Sequence, residues 1–184
     1  MTRGHVFWLF GLSGAGKTTL ATGLVGELRA TGRHVLSLDG DELRGGLCRD
    51  LGYSEEARAE NIRRVAEVAR LAADQGGLVV AALITPLERL RQLAAGIVGR
   101  DRLALVWVDV PLAICQQRDP KGLYRRAAAG DLPLLTGVSA PFEPAVACDL
   151  RLGADTPEAM RAALRGFSRL RLGEKLPVTR TGTG

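Results

Sequence analysis

The 184-residue chain is 46% hydrophobic but only 4% aromatic, so it can bury a sizeable core built of Leu, Val and Ala. A net charge of +5 and a sequence pI of about 9.6 suit an anionic partner. The arginines are dispersed and do not interleave with aromatics, which argues against nucleic acid. No stretch approaches the ~20 apolar residues of a membrane span, and the first apolar run is too short for a secretory signal core.

Three cysteines, Cys48, Cys115 and Cys148, with no C-x-x-C spacing, argue against a disulfide framework or a zinc site. They read as reduced thiols of a cytoplasmic protein.

Short apolar runs alternate with longer amphipathic ones. Residues 5–10, 34–38, 78–84 and 103–110 read as strands whose near-continuous apolar character suits a sheet covered on both faces. A helix is expected from Lys17 to about Ala30. A second starts after Ser54 as N-cap, with Glu55 and Glu56 in its first turn, and ends at Gly76-Gly77; Ile62, Val65, Ala66, Ala69 and Ala73 form its apolar face. Further helices follow Pro86 and Pro111, each expected at N1, and a last one has Thr156 as N-cap and Pro157 at N1. This alternation predicts an α/β fold, a three-layer α/β/α sandwich with a mostly parallel sheet. One domain is expected over 1–172, with a polar, fraying tail over 173–184.

The segment GLSGAGKT (11–18) fits G-x-x-x-x-G-K-[ST] and sits between a predicted strand and a predicted helix, the setting of a phosphate-binding P-loop. Gly11, Gly14 and Gly16 allow backbone torsions that turn successive N–H groups, among them those of Ser13 and Ala15, toward one anion. Lys17 is expected to bridge the β- and γ-phosphates of ATP, and the Thr18 hydroxyl to ligate Mg²⁺, with Thr19 beside it.

LDGDELR (38–44) falls at the carboxyl end of the second strand, where open α/β sheets bind ligands. Asp39 and Asp41 are expected to flank the nucleotide's terminal phosphate, one near Mg²⁺ and one near an acceptor hydroxyl, the alternative being an acidic turn that caps a helix. Arg58 and Asn61 lie three apart on one helix face and, with Arg44, could clamp an anionic substrate. The segment DPKGLYRRAAAGDLPLLTG (119–137), preceded by Arg118, reads as a basic lid over the transferring phosphoryl group, with Arg118 and Lys121 around a Pro and Arg125 and Arg126 as solvated charges.

Taken together, GLSGAGKTT, LDGDELR, DLGYS, RAENIRRVAEVA, PLAICQQRDPKGLY and LTGV resemble the adenylylsulfate kinase family over residues 5–150, in collinear order. The resemblance implies ATP-dependent phosphorylation of the 3′-hydroxyl of adenosine 5′-phosphosulfate, within sulfate assimilation. It implies Asp41, Arg44, Tyr53, Arg58, Asn61, Lys121 and the backbone at Ile84 and Thr85 as substrate contacts, and Arg118 beside the ATP adenine. It also implies a small anionic nucleotide as partner, pairing as a homodimer, and no requirement for nucleic acid or membrane.

The family's Ser-Pro-aromatic-Arg reads here as TPLE (85–88), and its Phe-Thr-Gly-Ile as LTGV (135–138). Glu88 stands where an arginine is usual, and Leu135 stands where a phenylalanine stacks on the substrate adenine. Losing that stacking would cost about 1–3 kcal/mol. The alternative is a kinase of the same architecture acting on a different small hydroxyl compound, such as a nucleoside or a specialised metabolite.

Overall fold

The structure, a computed structural model, describes residues 4–153 and 155–174. Five strands form one parallel sheet: β1 (His5–Phe10), β2 (Val35–Asp39), β3 (Leu78–Leu83), β4 (Leu103–Val108) and β5 (Leu150–Leu152), in the order β2-β3-β1-β4-β5. The helices are α1 (Lys17–Ala30), α2 (Gly40–Gly45), α3 (Glu55–Asp74), α4 (Glu88–Val98), α5 (Leu112–Arg118), α6 (Leu123–Ala128) and α7 (Pro157–Arg171).

Alternate residues of β1 feed two cores. Phe7 and Leu9 pack with Leu20, Leu24 and Leu28 of α1 and Met160 and Leu164 of α7. Val6, Trp8 and Phe10 pack with Ile62, Val65 and Ala69 of α3 and Leu90 and Ala94 of α4. Both faces of β1, β3 and β4 are therefore covered, which is why these strands are apolar without alternation.

Strand β2 does not follow this rule. It is an edge strand with Leu36 and Ser37 exposed, and it ends one residue later than the sequence predicts, at Asp39. Strands β3 and β4 end one and two residues earlier than predicted. The three-residue β5 is an edge strand that the sequence does not announce.

The expected caps at Ser54 and Thr156 are present, each accepting a backbone N–H from the third residue on, and Pro157 opens α7. The two other prolines sit further out than N1. Pro111 is the N-cap of α5. Pro86 precedes Leu87, the N-cap of α4, because Glu143 reaches across to this end: its carboxylate accepts from Glu88 N at 2.7 Å, and its own N–H donates to Pro86 O at 2.8 Å. Of the predicted tail, Glu174 pairs with Arg33 at 3.2 Å, and residues 175–184 lie outside the described residues.

Candidate active site

The carboxyl ends of β1, β2 and β3 open into a cavity of about 680 Å³, beside the strand where the sheet order reverses. Its donor-side wall is the loop between β1 and α1. Gly11 has φ 148°, and a Cβ there would lie 2.4 Å from Val108 O; Gly14 has φ 76°, and a Cβ would lie 2.9 Å from Cys115 O. Only glycine meets both demands, of torsion and of close approach. The loop's N–H groups and the start of α1 thus form an anion cradle. Ser13 to Thr19 line the cavity, whereas Gly11 lies beneath it with its N–H on Ile84 O at 3.2 Å.

Lys17 donates to Leu12 O at 2.7 Å. Burial lowers its pKa from 10.5 to about 8, nearby Lys121 acts in the same direction, and the carboxylates of Asp41 and Asp39 oppose it in part. A polyanion arriving in the cradle would supply the missing negative charge.

Asp39 does two things at once. Its Oδ2 accepts from Thr18 Oγ1 at 2.8 Å and its Oδ1 accepts from Asp41 N at 2.9 Å, capping α2. The helix-capping and ligand-facing readings of this aspartate are therefore compatible. Thr18 and Asp39 present hard oxygen donors side by side at the edge of the phosphate cradle, a set that fits Mg²⁺ completed by phosphate oxygens and water. Among the described residues no cluster of three or more His, Cys, Asp or Glu could hold a metal by itself.

Opposite this wall, Asp41 in the first turn of α2 forms an ion pair with Lys121 of the 119–137 segment. That segment is also tied to the phosphate loop: the Tyr124 hydroxyl donates to Ser13 O at 2.9 Å, and Arg118 lies 3.5 Å from Gly14 O. Arg44 lies over the Tyr53 ring, 4.3 Å from its centroid, and donates to Gly52 O at 3.0 Å. Arg58 donates to Tyr53 O at 3.0 Å and to Leu134 O at 2.7 Å, so it clamps the aromatic residue to the far end of the segment.

Every other predicted site residue lines this one cavity: Asp39, Asp41, Arg44, Tyr53, Arg58, Asn61, Ile84, Thr85, Arg118, Lys121 and Leu135. Asn61 is buried and its Nδ2 has no protein partner, and the same holds for the hydroxyl of Thr136; both residues line the cavity. Unpaired buried donors at a cavity wall suit a polar ligand.

Two readings are corrected. Glu88 does not face the cavity; its carboxylate turns to the fully buried Arg91, with Nε–Oε2 at 2.9 Å. Burial alone would raise the Glu88 pKa, but the Arg91 bond and charge outweigh it and hold the carboxyl below its ordinary range. The charge reversal at this position is thus met by a local partner. Arg126, read as a solvated charge, is exposed but lines the cavity, whereas Arg125 is exposed outside it, 3.8 Å from Asp119.

Four contributors escape a reading by motif. Pro157, Met160 and Arg161 of α7 line the cavity, and the Tyr124 hydroxyl ties the 119–137 segment to the phosphate loop. The N-cap signal at Thr156 locates the start of α7, but only the sheet order brings α7 beside α1.

A parallel sheet whose first strand runs into a glycine-rich anion cradle holding Lys17, with Asp39 and Asp41 across the same cavity, is the architecture of P-loop kinases. The adenylylsulphate kinase family model matches residues 3–153. An adenylyl-sulfate kinase of Shewanella amazonensis is 49% identical over 156 residues, covering 85% of this chain and 78% of that protein. One of Aeromonas salmonicida is 50% identical over 138 residues, covering 75% and 70%. The Mycobacterium tuberculosis APS kinase CysC, solved in complex with AMPPNP and APS, superposes with a TM-score of 0.87 at 39% identity, covering 92% of this chain and 99% of that one. The chain belongs to the adenylylsulfate kinase family.

Proposed function

We propose that the protein transfers the γ-phosphoryl group of ATP to the 3′-hydroxyl of adenosine 5′-phosphosulfate. The observation that carries this reading is one cavity with a phosphate cradle at one end and the Asp41–Lys121 pair, Tyr53, Arg58 and Asn61 at the other, in a member of this family.

The phosphate loop and Lys17 hold the ATP phosphates, and Arg118, which lines the same cavity, meets the base. Mg²⁺, held by Thr18 and Asp39, would neutralise charge on the phosphates. Asp41 accepts the proton of the acceptor hydroxyl, and its place in the cavity wall beside Lys121 supports that role. Lys121, carried on the segment 119–137 acting as a lid, exchanges its bond to Asp41 for the transferring group. Tyr53 and Leu135 flank the substrate adenine, Arg58 and Arg44 offer charge to its anionic end, and Asn61 and the backbone at Ile84 and Thr85 orient it.

Because Glu88 faces away from the cavity, its charge reversal does not bear on the acceptor, whereas Leu135 lines the cavity. The reading includes a single domain, pairing of two chains and a cytoplasmic setting. Three unbonded cysteines are in keeping with that setting, and among the described residues no helix is long and apolar enough to cross a membrane.

The test is an ADP-release screen with adenylylsulfate and a panel of nucleosides and sugars, with Lys17→Ala as control. Release with adenylylsulfate, lost in the control, is expected. Release only with another hydroxyl compound would replace the acceptor named here.

A further inference from the structure

Thr85 is a β-branched residue at φ 41°, in the left-handed region that such residues rarely adopt. Torsions of this kind persist only where the surroundings over-determine them, and here they do. The Thr85 hydroxyl accepts from Trp8 Nε1 at 2.9 Å, and its carbonyl accepts from Arg91 Nη1 at 3.1 Å. The preceding carbonyl, of Ile84, accepts from Gly11 N, the first residue of the phosphate loop. Both Trp8 and Arg91 are fully buried and neither lines the cavity.

Arg91 is held in turn. Its Nη2 donates to Glu143 O at 3.0 Å and Pro144 O at 3.3 Å, its guanidinium lies 5.0 Å from the Phe10 ring centroid, and its charge is balanced by Glu88. A buried guanidinium without a counter-ion would be strongly unfavourable. The acid at position 88 therefore serves this brace rather than the acceptor.

We propose that Trp8, Arg91 and Glu88 are positioning residues that hold the strained Thr85 turn, and through it set the distance between the acceptor contacts at Ile84–Thr85 and the phosphate loop. This rests on the acceptor occupying that end of the cavity. Mechanically, the turn is pinned from three sides: by β1 through Trp8, by α4 through Arg91, and by the phosphate loop through Gly11. Loosening any one lets the torsion relax, which moves the acceptor contacts while the phosphate cradle stays in place.

The test compares Thr85→Val, Thr85→Ser, Trp8→Phe and the Trp8→Phe/Thr85→Val double variant, reading KM for adenylylsulfate, KM for ATP, kcat and Tm. Loss of one buried hydrogen bond is expected to raise KM for adenylylsulfate about tenfold in Thr85→Val and Trp8→Phe. KM for ATP stays within about twofold, Thr85→Ser, which keeps the hydroxyl, raises KM for adenylylsulfate less than Thr85→Val does, and the double variant is no worse than the poorer single one. Lowered Tm with an unchanged KM for adenylylsulfate would reduce the brace to ordinary core packing and overturn the proposal. Inactivity of the wild type with adenylylsulfate would instead sink the acceptor reading. The thermal cycle of the same variants, which needs no substrate, then decides whether the brace exists: additive losses overturn it, and coupled losses support it.

Discussion

Asp41→Asn separates chemistry from stability with little ambiguity. The substitution keeps the shape of the side chain and removes its charge. In the structure the Asp41 side chain is 66% exposed and its Lys121 partner 48% exposed. Such an ion pair contributes about 0–1 kcal/mol, and an acid in the first turn of a helix adds a few tenths. For a chain of this size about 1 kcal/mol moves Tm by roughly 2–4 °C. The N-cap bond of α2 survives, because it is made by the Asp39 side chain to the Asp41 backbone. If Asp41 takes the acceptor proton, kcat falls about 100- to 10,000-fold, while ATP affinity stays within about threefold. Stopped-assay kinetics, nucleotide titration calorimetry and a thermal melt on one preparation give all three numbers. A kcat within about threefold of wild type, or a loss of Tm far beyond a few degrees, would refute the reasoning: the first denies the role in proton transfer, the second makes Asp41 structural.

Other outcomes follow from the same geometry. Lys17→Ala removes the cation of the phosphate cradle and should abolish turnover, with the circular dichroism spectrum retained. Free Lys17 titrates at about 8, and ATP favours its charged form. Affinity for ATP therefore weakens as pH rises through that value, with a proton taken up on binding above it; calorimetry in buffers of differing ionisation enthalpy reads the uptake. In the ligand-free protein the lowered pKa is a cost to stability that is fully present below about 8 and is relieved as pH rises toward the unfolded value of 10.5. Leu135→Phe restores an aromatic wall opposite Tyr53 and should lower KM for adenylylsulfate by about fivefold or more; a raised KM would mean that the buried Leu135 site has no room for a ring.

Much of this was legible in the chain because the signals are local. Strands β1, β3 and β4 read as apolar runs since both their faces are covered, and the glycines of residues 11–16 announce their torsions by having no side chain. Asp39 and Asp41 could be placed because they fall at a strand's carboxyl end. What escaped is what depends on neighbours in space. Strand β5 is three residues with an arginine in the middle, paired only with β4, so no periodicity marks it. Met160 and Arg161 reach the cavity because α7 lies beside α1, which requires knowing the sheet order. Glu88 was legible as a departure from a family pattern, but its partner was not: the bond to Arg91 one helical turn away matters only because Arg91 is buried under Thr85. The sequence showed the charge, and the fold decided which side of the helix it served.

The most direct test of the central claim is the position of the new phosphate. The protein is incubated with ATP, Mg²⁺ and adenylylsulfate, and the product is examined by phosphorus NMR and mass spectrometry. The account predicts one added phosphoryl group, on the 3′-hydroxyl, with one ADP released per product. Phosphate on another position, or ATP consumption with adenylylsulfate left unmodified, would contradict it.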